Sequence, residues 1–168
     1  MIALYRGKSA LSRAIEWFTR GAYSHAAWVC RDGTVIEARG SGVRRVASIS
    51  DQHLDGTPVE IYQVPGCDVD AAEAWLATQI GKKYDYKGLF GFVTRADQDD
   101  GQSAWFCSEL VFTAAQKGGV ELLARVPAWE VSPTVLSYSP LMVGATAGRT
   151  GPDPINPMNM VHLGWARA

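Results

Sequence analysis

Residues 24–38 constrain the fold more than any other stretch. Residues 24–30 and 34–38 are short runs of mostly apolar residues with strand character, and Arg31-Asp32-Gly33 between them is a hairpin signal. The chain therefore doubles back into an antiparallel pair. Loop length decides which side chains share a face, because a one-residue slip moves a side chain across the sheet. If Asp32-Gly33 forms a two-residue turn, Val29 pairs with Ile36 and Trp28 with Glu37, and Glu37 faces away from His25. If Arg31-Asp32-Gly33 forms a three-residue loop with Gly33 left-handed, Cys30 pairs with Thr34 and Ala27 with Glu37. Glu37 then lies diagonal to His25 on one face, within reach of long side chains.

The rest of the chain reads as α and β segments in alternation. Residues 2–5 form a short strand. Ser9 caps a helix running to Arg20, with Leu11, Ala14, Ile15 and Phe18 on one face and Gly21 as terminator. A third strand, 59–64, follows a polar connection. Asp70 and Glu73 have capping-box spacing, and the helix they start turns Ala72, Trp75, Leu76 and Ile80 inward and stops at Gly81. Tyr84-Asp85-Tyr86 and an acidic loop over 94–103 precede a helix that begins at Cys107 and ends at Gly118-Gly119. Residues 131–143 are irregular or short strand. From Gly144 onward glycine and proline dominate, so the expected organisation is one α+β domain over 1–143 and a tail over 144–168. The apolar residues of 158–165 are expected to dock on their own domain or on a second copy, away from Cys107.

Size and charge exclude several classes. A chain of 168 residues holds one core, and a net charge of −1 leaves no footprint for nucleic acid. No stretch is apolar and long enough to span a membrane. The first residues, Met1-Ile2-Ala3-Leu4-Tyr5-Arg6, put charge after the apolar residues, which is not a signal-peptide pattern, so cytoplasmic synthesis is expected. Phage association or another export route stays open. The 3 cysteines are odd in number and lack metal-site spacing, so neither a disulfide framework nor a metal or other cofactor is implied.

Cys107 carries the chemistry. At a helix N-terminus, unpaired amides favour thiolate over thiol and can hold an oxyanion. His25 is the best base, and Glu37 is the candidate orienting third member if the three-residue loop holds. Cys30 reads as a small buried hydrophobe. Cys67 has nothing reactive beside it. Ser108 reads as structural, and Glu109 points away from Cys107 and is expected to pair with a basic group. His53, in a polar loop, and His162, in the tail, are weaker bases. Asp97, Asp99 and Asp100 are off the spacing of a calcium loop.

Ser24-His25-Ala26-Ala27 with Val35-Ile36-Glu37-Ala38 resembles the histidine hairpin of NlpC-like papain-fold cysteine hydrolases. The closer likeness is to their circularly permuted branch, which includes the lecithin:retinol acyltransferase-like enzymes. There the histidine strand precedes the cysteine helix, as His25 precedes Cys107. Gly81-Lys82-Lys83-Tyr84-Asp85 is similar to the branch's Gly-x-x-Tyr-Asp segment, Phe106-Cys107-Ser108-Glu109-Leu110-Val111 to its nucleophile segment, and Val131-Ser132-Pro133 to a segment after that helix. The resemblance covers roughly residues 2–143. It implies a papain-like fold, with a small antiparallel sheet or barrel packed on helices, and Cys107, His25 and Glu37 as catalytic residues. Tyr84, Trp105 and Ser24 are the expected substrate-binding residues. The expected reaction passes through an acyl-enzyme on an amide bond, most often of a cell-wall peptide, with no cofactor. A lipid acyl hydrolase or acyltransferase stays open, and so does an idle papain-fold binding or phage-assembly protein that forms homo-oligomers through its tail.

Overall fold

Strand β1 (Ile2–Tyr5) is a central strand of a six-stranded antiparallel sheet in the computed structural model, which describes residues 1–86 and 103–151. On one side it pairs with β2 (His25–Val29), then β3 (Val35–Arg39) and β4 (Gly42–Val46). On the other it pairs with β5 (Pro58–Gln63), which pairs with β8 (Val143–Arg149). Helices α1 (Ala10–Thr19), α2 (Val69–Gln79), α3 (Cys107–Lys117) and α4 (Pro133–Leu136) complete the α+β architecture. A small parallel pair joins β6 (Lys83–Tyr84) to β7 (Ala104–Trp105).

Every residue of β1 and β2 is buried, so these strands read as unbroken apolar runs rather than as alternating ones. One face, with Ile2, Leu4, Ala26, Trp28, Ile36 and Ala38, packs with Leu76 of α2 and Leu110, Val111 and Ala114 of α3. The other face, with Ala3, Tyr5, Ala27, Val29 and Val35, closes over Val59, Ile61 and Ile49. His25 and Glu37 occupy odd positions in register with this second face.

The hairpin loop has three residues. Trp28 pairs with Ile36 and Val29 with Val35, Cys30 N–H donates to Thr34 O at 2.8 Å, and Gly33 is left-handed at φ 83°. Continuing that register sets Ala27 opposite Glu37, so His25 and Glu37 share a face.

Several expectations need correction. Strand β4 was not expected; its Arg44-Arg45 pair hides a strand whose arginines both serve the hairpin. The left-handed cap of α1 is Arg20 at φ 50°, not Gly21. Gly21 is required for space instead, since a Cβ there would lie 2.0 Å from Thr134 Oγ1. The cap of α2 is Asp68, which accepts from Ala71 N–H at 3.0 Å. Glu73 and Asp70 bind Arg31 instead, its N–H at 2.9 Å and its Nη1 at 2.8 Å, and so tie the hairpin loop to the helix. Ile80 is exposed. The segment expected as a tail begins as an edge strand, because Thr146–Arg149 continue pairing with β5. The expected acidic loop as far as residue 102, His162 and the docking of 158–165 lie outside the described residues, as do the side chains of Leu11 and Phe18. Among the described residues no helix is long and apolar enough to cross a membrane.

Candidate active site

Cys107 is the first residue of α3, after an extended Phe106 at the N-cap. The first helical hydrogen bond is Leu110 N–H to Phe106 O, so the amides of Cys107 and Ser108 have no intrahelical acceptor and face the chain entry. The helix starts here for local reasons. The Glu109 carboxylate accepts from Phe106 N–H at 3.3 Å, and the Ser108 hydroxyl donates to Val131 O. Glu109 therefore caps its own helix rather than pairing with a base. Burial pushes its carboxyl up to about 7, against the Phe106 N–H and with the help of Asp85. The Cys107 side chain is buried among Ile15, Phe106 and Tyr84.

His25 opens β2, opposite Tyr5 in the sheet. Its Nε2 lies 2.6 Å from Glu37 Oε2, and the Cys107 side chain is close enough to help raise the ring's pKa. With Nε2 committed to Glu37, Nδ1 is the ring nitrogen left for the sulfur. Burial disfavours a charged ring, but the bonds to Cys107 and Glu37, together with the Glu37 charge, outweigh it and push His25 up to about 9. The ring is therefore held in its protonated form at neutral pH.

Glu37 is 1% exposed at the side chain, and an unpaired carboxylate there would cost several kcal/mol. Its partners remove that cost. Arg44, its cross-strand neighbour on β4, forks onto Oε1 from Nη2 at 2.6 Å and Nε at 3.1 Å. Burial raises the Glu37 pKa, but His25, His53 and Arg44 outweigh it and hold the carboxyl well below the usual range. Arg44 was missed from sequence. The signal available was the register pair Glu37–Arg44, which could not be drawn before β4 was recognised.

His53 was also undervalued. It sits in the 47–57 loop, yet its side chain is only 6% exposed, its ring stacks on Tyr5 at 4.0 Å, and its Nε2 lies 3.9 Å from Glu37 Oε2. His25, Glu37 and His53 offer ligand-type atoms within 4.8 Å of one another. A divalent ion would enter there against two guanidinium groups, since Arg44 holds Glu37 and Arg39 Nη1 points at His53 Nε2 from 3.5 Å. The cluster is a hydrogen-bond network around one carboxylate.

The three expected substrate-binding residues separate. Tyr84 lies beside Cys107 and packs against Phe106 at 5.8 Å, and burial together with the nearby sulfur raises its phenol pKa. Trp105 is core. Its indole N–H donates to Gln79 Oε1 at 3.1 Å, and its ring packs edge-on against Trp75. Ser24 is also committed internally: it is buried, and its Oγ accepts from Gly7 N–H at 2.8 Å. Both side chains are buried and bonded within the protein.

No known family model matches the chain, and no curated protein matches its sequence.

Proposed function

We propose that this protein is a cysteine hydrolase of the permuted papain-like, NlpC type, cutting an amide bond of a cell-wall peptide through an acyl-enzyme. The observation that carries the reading is one chain of contacts. A cysteine at a helix N-terminus lies near enough to a histidine to raise its pKa, and that histidine's Nε2 lies 2.6 Å from a buried carboxylate that an arginine neutralises. Stability alone does not favour such an arrangement, because three ionisable groups are withdrawn from water to form it.

The chemistry follows from the positions. The Cys107 thiolate attacks the amide carbonyl, forming a C–S bond and moving the carbonyl π electrons onto oxygen. The amides that open α3 stabilise that oxyanion. The proton on His25 passes to the leaving nitrogen as the C–N bond breaks, leaving a thioester on Cys107. The neutral ring then takes a proton from water, hydroxide adds to the thioester, and the C–S bond breaks to release the acid and regenerate the thiolate. Glu37 stays ionised throughout and fixes the tautomer that turns Nδ1 toward sulfur. Tyr84 borders the reacting carbonyl.

The test is incubation with muropeptide fragments and with a peptide acyl-electrophile, read per cysteine by mass spectrometry. Release of a new amine, with the label on Cys107 and no turnover by Cys107→Ala, is the expected result. Turnover of an acyl ester with no amide cleavage would move the assignment to the lipid acyl hydrolases. A labelling pattern that does not distinguish the cysteines would remove the enzyme reading.

A further inference from the structure

We propose that His53 is a positioning residue, which holds the Glu37 carboxylate in the orientation that His25 needs. The inference rests on the Cys107–His25–Glu37 reading above and adds a member that the hairpin does not contain.

The loop that carries His53 is pinned on both sides of it. The Asp51 carboxylate accepts from the N–H groups of Ala47 at 2.8 Å and Ser48 at 3.3 Å, and His53 N–H reaches Ser50 O at 3.1 Å. Gln52 takes a left-handed conformation at φ 64°, and its carbonyl accepts from Arg39 Nη1 at 2.8 Å. After His53, the Leu54 carbonyl accepts from Thr57 Oγ1 at 2.6 Å and Thr150 Oγ1 at 2.7 Å. A left-handed non-glycine residue costs about 1 kcal/mol or more and persists only where the surroundings over-determine it. Here its result is that one ring is delivered to Glu37.

That ring lies nearly parallel to Tyr5, at 4.0 Å and 3°, and 5.6 Å from the His25 ring. Stacking alone does not explain a histidine. A phenylalanine would stack equally well and bury no polar nitrogen. Its Nε2 faces Glu37 Oε2 at 3.9 Å and Arg39 Nη1 at 3.5 Å, and the His25 ring lies 5.6 Å away. Burial, with His25 and Arg39 nearby, lowers the His53 pKa, so the ring is neutral at neutral pH and does not draw the carboxylate away from His25. Arg44 fixes Oε1 and His53 flanks Oε2, so the carboxylate is bounded on both oxygens. A carboxylate free to rotate would lose the 2.6 Å bond that sets the His25 tautomer.

The experiment compares wild type with His53→Phe, which keeps the stack without the nitrogens, and His53→Gln, which restores a polar atom near Nε2. Each is also made in a Glu37→Gln background. The readout is the second-order rate of Cys107 alkylation by iodoacetamide across roughly pH 5 to 10, resolved per cysteine, with melting temperature alongside. His53→Phe should lower the neutral-pH rate about tenfold and shift the acid limb of the profile upward, and His53→Gln should recover to within about threefold. His53→Phe should add nothing once Glu37 is Gln, because the effect passes through that carboxylate. A folded His53→Phe with the wild-type rate and profile overturns the inference, and so does an equal loss in both backgrounds. Should His53→Phe not fold, imidazole 15N resonances decide: those of His53 should move on Glu37→Gln, and unchanged resonances overturn the proposal. A wild-type Cys107 that reacts no faster than Cys30 and Cys67, or is indifferent to His25→Ala, fails the hydrolase reading itself and is a distinct result.

Discussion

Glu37 and Glu60 are both strand carboxylates held by an arginine and by ring-bearing side chains, yet they do different work. Glu60, on β5, accepts from Arg6 Nη2 at 2.7 Å, Tyr23 Oη at 2.7 Å and Tyr62 Oη at 2.8 Å. Burial raises its pKa, but these donors outweigh it and lower the result. Its donors are a guanidinium and two phenol hydroxyls, so the cluster braces β5 against the chain segments that flank β1 and β2. Glu37 has the same kind of arginine, but its ring partner is an imidazole. That ring's pKa is raised to about 9, and Cys107 is among the groups that raise it. A carboxylate becomes part of a reactive site when its donor can give up a proton and pass the effect on.

Substitutions sharpen this contrast. The largest effect should come from His25→Ala, which should slow alkylation of Cys107 at neutral pH by about 100-fold or more. Cys30 and Cys67 should barely change. Burial pushes the Cys30 thiol up to about 11 and also raises Cys67, so neither forms thiolate readily. Rates that are equal for the three native cysteines would break the comparison at its root.

Next comes the pair of charge removals. Glu37→Gln should slow Cys107 by about 10-fold or more and cost about 3 kcal/mol, because it strands Arg44 and His25 in a buried site. Glu60→Gln should cost about 1 kcal/mol, since its cluster is partly exposed, and should leave the Cys107 rate within about twofold. Denaturant melts and alkylation rates check both. A Glu60 variant that slows Cys107 as much as the Glu37 variant would show that the two networks are one.

The pH dependence of stability separates the two carboxylates further. His25 is raised from 6.5 to about 9, so its contribution is full below 6.5 and is lost as pH climbs through about 9. Glu37 and Glu60 are lowered from 4.5, so theirs are present above 4.5 and lost as pH falls through the depressed values. Glu37→Gln should therefore flatten the alkaline and acid limbs together. Glu60→Gln should soften the acid limb alone. Melting temperature against pH measures this.

The smallest effect on chemistry should come from Trp105→Phe. It removes the hydrogen bond to Gln79 from the core and should cost about 1–3 kcal/mol. The rate of Cys107 alkylation should be unchanged, because Trp105 packs on the side of Trp75 and Gln79. A matching loss of rate would return Trp105 to the cleft.

The sequence by itself determined the local features: the hairpin at 31–33, the helix that begins at Cys107, and the candidate trio of Cys107, His25 and Glu37. Each of these is written in contiguous residues, as alternation, a turn dipeptide or helical spacing, and needs no distant partner to be read. Tertiary structure decided the rest. Whether the loop held two or three residues was undecidable locally, and it set whether Glu37 faced His25. Arg44 was invisible as a site member and His53 read only as a weaker base, because their positions depend on strand pairing and on a loop folding back over Tyr5, and neither leaves a short-range pattern. Trp105 and Ser24 show the converse. Adjacency in sequence suggested a place beside Cys107 and His25, whereas the fold commits the indole to Gln79 and the hydroxyl to the Gly7 N–H. A reactive cysteine can thus be proposed from a motif, but the groups that hold its carboxylate are set by side chains meeting in space.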